Sequence, residues 1–496
     1  MTNGRFLTTH VGSLPRPDDL IAMMWAREDG IPVDKAAMEE RVCRAVDEVV
    51  ARQTKAGIDI VNDGEWGKPS YATYIKDRLN GFGGAGNTYV FQDIEAFPQT
   101  KARVMADPGR KHRKAPACDA PISVRDMEAP RKDAERLKTA LKAHGAAGAF
   151  LTAASPGVTA FFFRNEYYRT HEDYVFAIAE AMRDEYETIA AAGVTLQVDC
   201  PDLAMGRHTQ FKDLDLAGFR ERMELNVEAL NRALVNIPAG RVRMHLCWGN
   251  YPGPHHCDVP LQDIVDVVWK AKPHAIQFEA ANPRHAHEWA VFETVKVPEG
   301  KVLIPGVIEC QSNYIEHPEL VAQRIERYAN LVGRDNVMAG VDCGFSIHVG
   351  SAPPSRAGGF GADKFVLSRE ASYASTLGPL CRRCRRRVRT HMRIDAQRRS
   401  VVEVSNGWRS AEDRPNGRSV CARASHGRRQ AGLLRDLAHG KPALRPGYQS
   451  GDEHMRPGAA DGQRRHQHGG RPARRVAVPA MAGGAREGTN RQPRQG

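Results

Sequence analysis

Eight times within its first 350 residues the chain passes from a short β-prone run to a longer segment and back, and that alternation narrows the folds open to it. The β-prone runs are residues 6–11, 58–62, 149–153, 194–198, 241–246, 275–278, 302–308 and 337–341. Between several of them apolar residues recur at helical spacing, over 34–56, 174–192, 214–235, 264–271 and 318–332. Short strands alternating with helices build parallel sheets, because a parallel pair needs a long crossover between its members. Eight such units predict the α/β class, and within it a (β/α)8 TIM barrel rather than an open sheet. Residues 80–147 break the rhythm with Gly-rich turns, a basic loop at 111–114 and one helix at 131–144. They read as an insertion after the second strand, a lid or a hairpin over one end.

In barrels of this kind the reactive groups stand just past the C-terminal ends of the strands. Ser13, Glu65, Ser155, Asp199, His245, Cys247, Glu279, Glu309 and Cys343 occupy such positions. His245 and Cys247 are two residues apart, and residues i and i+2 of a strand face the same side. An isolated His-x-Cys is more often a core histidine beside an inert thiol, so the neighbouring units decide its meaning. Glu279 follows Cys247 by 32 residues and Cys343 follows Glu279 by 64. A strand-and-helix unit is roughly 30 residues, which puts all four groups at one rim. They supply N, S and O donors suited to tetrahedral Zn2+. Three of the four are anionic when bound, which weakens the ion as a Lewis acid but still lets it hold an incoming thiol as thiolate. Such a centre suits alkylation of sulfur better than hydrolysis.

Other metal-type groups are weaker candidates. His255, His256 and Cys257 lie in a Pro/Gly-rich loop, and Cys200 and Cys310 each adjoin an acidic residue better placed for function. Cys381 and Cys384 form a lone C-x-x-C pair in a basic tract and read as accidental.

The net charge of +12 belongs to the C-terminal part. From residue 351 onward there are 30 Lys and Arg against 11 Asp and Glu, and only Lys364 and Lys441 are lysine. Residues 1–352 are therefore read as the barrel, carrying the 80–147 insertion, and 353–496 as a low-complexity basic tail, disordered or derived from a frameshift. A nucleic-acid-binding role for the tail is the non-enzyme alternative, but few aromatic residues are interleaved there, so no nucleic-acid partner is expected. No run approaches the roughly 20 apolar residues of a membrane span, and Met1 to Phe6 has no basic and apolar leader pattern, so a cytoplasmic protein without a membrane partner is expected. Ten cysteines without framework spacing read as free thiols or metal ligands.

The strand-end motifs together resemble a known family. Thr8-Thr-His-Val-Gly-Ser-Leu-Pro15, Asn62-Asp-Gly-Glu65, Leu196-Gln-Val-Asp199 with Pro201, His245-Leu-Cys247, Phe278-Glu279 and Asp342-Cys-Gly344 resemble the C-terminal catalytic domain of cobalamin-independent methionine synthase, and most closely its single-barrel bacterial relatives. The resemblance covers roughly residues 5–350. It implies zinc-dependent transfer of a methyl group from 5-methyltetrahydrofolate, as polyglutamate, to the thiol of homocysteine, giving methionine. Carried over by motif, His245, Cys247, Glu279 and Cys343 hold zinc, while Ser13, Glu65 and Asp199 bind the amino-acid thiol.

The chain also departs from that pattern. No duplicated N-terminal barrel precedes it, and the seventh-strand loop, where the family carries Asp-Ile-His, reads Ile308-Glu309-Cys310. Glu309 or His10 is then the candidate proton donor. No aromatic platform stands after the third strand, where Ser155-Pro-Gly-Val158 is found. These departures keep open a related thiol alkyltransferase with another donor, such as an epoxide or a methylated aromatic compound, or another acceptor of the coenzyme M type.

Overall fold

The computed structural model describes residues 5–350 except 87, 88, 313 and 347. Its framework is a curled, six-stranded parallel sheet of TIM-barrel type. In chain order the strands are β1 (Ile60–Val61), the hairpin strands β2 (Leu79–Gly86) and β3 (Pro116–Val124), then β4 (Gly148–Ala154), β5 (Thr195–Asp199), β6 (Val242–Leu246), β7 (Ala275–Phe278) and β8 (Val302–Pro305). The sheet order is β1-β4-β5-β6-β7-β8, with every pair parallel and in direct register, for example Asp199 opposite His245.

Two of the expected strands, 6–11 and 337–341, occur as single-residue parallel bridges rather than ladders. Thr8 bridges Ala339, Thr9 bridges Ile60, Leu303 bridges Val337, and Gly306 bridges Gly340. The backbone bonds are regular nonetheless: Thr9 N–H donates to Ala339 O at 3.0 Å and Ala339 N–H to Leu7 O at 2.8 Å, while Met338 N–H donates to Leu303 O at 2.9 Å. These segments carry the sheet on at both edges and join β8 to β1. Side-chain size limits this closure. A Cβ on Gly340 would stand 2.9 Å from Ile304 Cγ2 and 3.0 Å from Gln277 Nε2.

Helices cover the outer face. Lys35–Lys55 starts at Asp34, whose side chain accepts from Ala36 N–H and Ala37 N–H, as an N-cap should. Glu128–His144 ends at Gly145 in the left-handed region (φ 72°), which glycine adopts without a Cβ penalty. It supplies the crossover from β1 to β4 and packs on Lys35–Lys55, so this helix belongs to the barrel's own ring although it falls within the 80–147 stretch read as an insertion. Before it, the segment expected to be Gly-rich turns forms an antiparallel hairpin, with Leu79 opposite Val124 and a register shift between Asn80 and Phe82. Cross-strand pairing overrides the low β-propensity of its glycines.

Inside the barrel a polar layer centres on the buried Arg243. Its Nε donates to Gln197 Oε1 at 2.7 Å, Nη1 to Thr9 Oγ1 at 2.9 Å and Nη2 to His10 O at 2.6 Å, and Nη2 also reaches Gln277 Oε1. The guanidinium lies 3.8 Å from the Phe150 ring centre. This layer is the floor of the site above it. Among the described residues no helix is long and apolar enough to cross a membrane. The expectations for 353–496, and for Cys381 and Cys384, lie outside the described residues.

Candidate metal centre and substrate pocket

Strand alternation aims Arg243, His245 and then Cys247 at the barrel axis, each one step higher. At the top of that row three ligand atoms converge: the atoms of His245, Cys247 and Cys343 all lie within 4.8 Å of one another. Cys343 Sγ is 3.6 Å from His245 Nε2 and 3.6 Å from Cys247 Sγ. A tetrahedral ion with bonds of about 2.3 Å to sulfur and about 2.0 Å to nitrogen would set its ligand atoms about 3.6–3.8 Å apart, so the donor set fits such an ion. Burial, and then the Arg243 charge, hold His245 down at about 3, leaving the imidazole neutral as a ligand requires. The Cys247 thiol is pushed well above its ordinary value by its contact with Cys343, by burial and by the charge of Glu279.

Glu279, the fourth expected ligand, stands beside this cluster rather than in it. Oε1 accepts from Trp248 N–H at 2.9 Å and Oε2 from Asn282 Nδ2 at 2.9 Å. Asp342, one residue before Cys343, fixes that corner: Oδ1 accepts from Ala280 N–H and Ala281 N–H and Oδ2 from Asn282 N–H, all at 2.8 Å. Gly306 makes room for it, since a Cβ there would come within 2.7 Å of Asp342 N and Cα.

The cluster opens into a pocket enclosing about 530 Å³, and Ser13, Glu65 and Asp199 line the same pocket. Glu65 is held in the left-handed region at φ 59°, a strained conformation for a residue with a Cβ. Its N–H donates to Asp63 Oδ1 at 2.9 Å and its carbonyl accepts from Arg16 Nη2 at 2.7 Å, which together pin the turn. Gly12 lies against its carboxylate, as a Cβ there would be 2.6 Å from Oε1. Glu65 Oε2 is buried without a hydrogen-bond partner. Burial raises Glu65 to about 7 despite Arg16 and Lys68, and burial together with the Glu65 charge raises Asp199 well above the usual carboxylate range. The two carboxylates form a buried acidic pair that a cation would relieve.

Other predicted residues lie elsewhere. His10 is on the outward side of its segment, with Nδ1 3.3 Å from Gln53 Oε1 of the helix Lys35–Lys55, and it does not line the pocket. Glu309 turns back on its own loop, accepting from Ser312 N–H at 2.6 Å and from Gln311 N–H. Ser155 caps the helix Pro156–Phe162, accepting from Val158 N–H at 3.0 Å and donating to Asp202 Oδ1 at 2.7 Å. His255 is bound to Asp258, which also meets His208 and His285, and no second metal-type group occurs among the described residues. Cys200 and Cys310 are buried.

Five pocket residues were not predicted: Tyr71, Tyr89, Phe91, Arg110 and His348. His348 was within reach of sequence reasoning, since it follows Cys343 by five residues in the same strand-end loop. Tyr89, Phe91 and Arg110 come from the connection between β2 and β3, whose irregular sequence has no period to place them. That connection supplies the aromatic rings that are missing after the third strand.

Residues 6–351 match the family model described as "Cobalamin-independent synthase, Catalytic domain". The chain is 25% identical over 349 residues to a methionine synthase of Saccharolobus solfataricus, covering 68% of this chain and 88% of that one. It is also 25% identical over 341 residues to a methionine synthase of Thermococcus kodakarensis, covering 68% and 87%. A likeness of fold extends to a B12-independent methionine synthase from Shewanella sp. W3-18-1 in complex with selenomethionine, with TM-score 0.57, 19% identity and coverage of 75% of this chain and 97% of that one. The chain therefore belongs to the cobalamin-independent synthase family, through its catalytic domain, and is an enzyme of the methyltransferase class.

Proposed function

We propose that the chain methylates the thiol of homocysteine to give methionine, that its metal is zinc, and that 5-methyltetrahydrofolate is the donor. The observation that carries this reading is the convergence of His245, Cys247 and Cys343 at the floor of a pocket that also holds the acidic pair Glu65 and Asp199. We read the catalytic unit as one closed (β/α)8 barrel over residues 1–352, with the hairpin as its insertion.

His245, Cys247 and Cys343 would hold zinc, with Glu279 as the adjacent fourth candidate, and zinc there supplies the acceptor sulfur in its thiolate form. Glu65 and Asp199 accept hydrogen bonds from the substrate ammonium, and the orphaned Oε2 of Glu65 gains the partner it lacks. Ser13 and the loop behind Gly12 take the substrate carboxylate. Held at three points, the sulfur has one orientation, and this lowers the entropic cost of meeting the donor. The methyl group leaves the donor as the carbon–sulfur bond forms, and the thiol's proton ends on the donor's leaving atom. Glu309 and His10, the expected carriers of that proton, are engaged with Ser312 and Gln53. That engagement keeps the second reading in view, a thiol alkyltransferase with another donor.

The test is an assay of methionine formation by the zinc-loaded full chain, given homocysteine with the mono- and triglutamate forms of methyltetrahydrofolate. Turnover on either supports the folate reading. Zinc binding without turnover on both would turn the assignment to another donor.

A further inference from the structure

Two arginines of the β2–β3 connection have no task in that scheme. Arg110 lines the pocket, and neither Arg110 nor Arg113 forms an ion pair among the described residues. Arg113 Nη1 donates to Tyr89 Oη at 2.8 Å, and its Nε is buried without a hydrogen-bond partner. Its guanidinium lies 5.0 Å from the ring centres of both Tyr89 and Phe162, and that of Arg110 lies 5.4 Å from Phe91. The rings are braced from behind: Phe91 stacks on Tyr251 at 3.6 Å and 12°, and Tyr89 tilts against Phe161 at 4.5 Å. Two cations clad in aromatic faces, with hydrogen-bond capacity left over, form an unfinished arrangement, since a sequestered charge is costly until an anion meets it.

The pocket is divided electrically. Glu65 is balanced by Arg16 and Lys68, and Asp199 by Lys68 and Arg243. Arg113 and Arg110 act on a different set. They hold the Tyr89 hydroxyl below the usual phenol value, outweighing burial, and they add to the burial that depresses His348. His348 has a buried Nδ1 without a partner and stacks with Tyr71 at 6.5 Å and 22°. Tyr71 feels both Tyr89 and the thiols of Cys247 and Cys343. The basic, aromatic part of the pocket therefore adjoins the metal cluster, and its chemistry is opposite to that of the acidic pair.

The geometry points to a second subsite, in which Arg110 and Arg113, with the faces of Tyr89 and Phe91, recognise the co-substrate by a carboxylate-class anion carried on a planar conjugated ring. This rests on the reading of the pocket as a thiol-alkylation site. The acceptor's ammonium goes to Glu65 and Asp199, and the anionic ring approaches from the arginine side with its transferable group toward the cysteine pair. Guanidinium gives a carboxylate paired, charge-assisted bonds, and the rings add stacking, so charge and planarity are selected together.

Calorimetric titration of the full chain with benzoate and with neutral benzyl alcohol tests the assignment. Benzoate should bind at least about tenfold tighter, and the preference should vanish in the R110Q/R113Q double variant. Should the double variant fail to fold by circular dichroism, Arg110→Gln and Arg110→Lys replace it, with lysine retaining part of the preference and glutamine losing most of it. Benzoate binding no tighter than benzyl alcohol, or a preference indifferent to these substitutions, overturns the subsite. Methionine binding is measured in parallel. A chain that binds benzoate through the arginines but does not bind methionine upholds the subsite and overturns the acceptor reading.

Discussion

The Sγ atoms of Cys247 and Cys343 lie 3.6 Å apart although 96 residues separate them in sequence. One comes from the end of β6 and the other from the loop after the segment that bridges β8, so only the curl of the sheet brings them together. If they share an ion, Cys343→Ser should weaken zinc binding by at least about 100-fold without altering the far-ultraviolet circular dichroism. Competition with a chromophoric chelator measures this. Wild-type affinity in the variant would show that the thiols are packing groups.

The acidic pair predicts a dependence of stability on pH. Glu65 is raised from its ordinary carboxyl value to about 7 in the folded chain. A group raised on folding contributes stability that is complete below its unfolded pKa and is lost as pH rises through the folded one. The ligand-free chain should therefore lose stability between about pH 4.5 and pH 7 through this group, and Glu65→Gln should remove that component. Methionine, by bringing an ammonium, should raise Tm more at pH 8 than at pH 5.5. Thermal melts of wild type and variant, with and without methionine, decide it, and identical pH slopes would contradict the buried pair.

Arg243→Met keeps the length of the side chain but removes the hub of the interior polar layer. Gln197, Thr9, the His10 carbonyl and Gln277 each lose a donor. Buried groups left unpaired cost about 1–3 kcal/mol each, partly offset by relaxation, so a loss of about 3 kcal/mol is expected from urea unfolding. A change below about 1 kcal/mol would mean that the layer is not a structural hub.

Gly306→Ala tests the corner behind the metal cluster. The added methyl would meet Asp342, which holds the 280–282 turn and hence Asn282 on Glu279. Overpacking of this kind costs about 1–3 kcal/mol, and zinc affinity should fall with Tm. Unchanged stability together with unchanged zinc affinity would exclude the coupling.

His10→Asn should leave methyl transfer within about threefold of wild type, under 1 kcal/mol of barrier. Its ring faces Gln53 and not the pocket. A large fall in kcat at constant KM would return His10 to the chemistry.

The fold was legible in the sequence because alternation of strand and helix is a local signal repeated many times. What escaped it were lengths and partners. The segments around Thr8 and Ala339 bridge at single residues because closure depends on contacts some 330 residues apart, and the helix Glu128–His144 looked like part of an insertion because the hairpin precedes it. For the site, residues at strand ends could be named from spacing, and His245, Cys247 and Cys343 do meet. Whether a rim carboxylate faces the axis is decided by loop conformation, and that separates Glu65 and Asp199, which line the pocket, from Glu309, which does not. The arginine and aromatic groups of the β2–β3 connection gave no signal because nothing periodic carries them.

The most direct test of the central claim is the absorption spectrum of the cobalt-substituted full chain. Thiolate-to-cobalt charge-transfer bands should be present, should shrink in Cys247→Ser and in Cys343→Ser, and should grow when homocysteine is added but not when homoserine is. Cobalt bound without such bands, or bands indifferent to both substitutions and to homocysteine, would contradict a thiol-activating metal held by these residues.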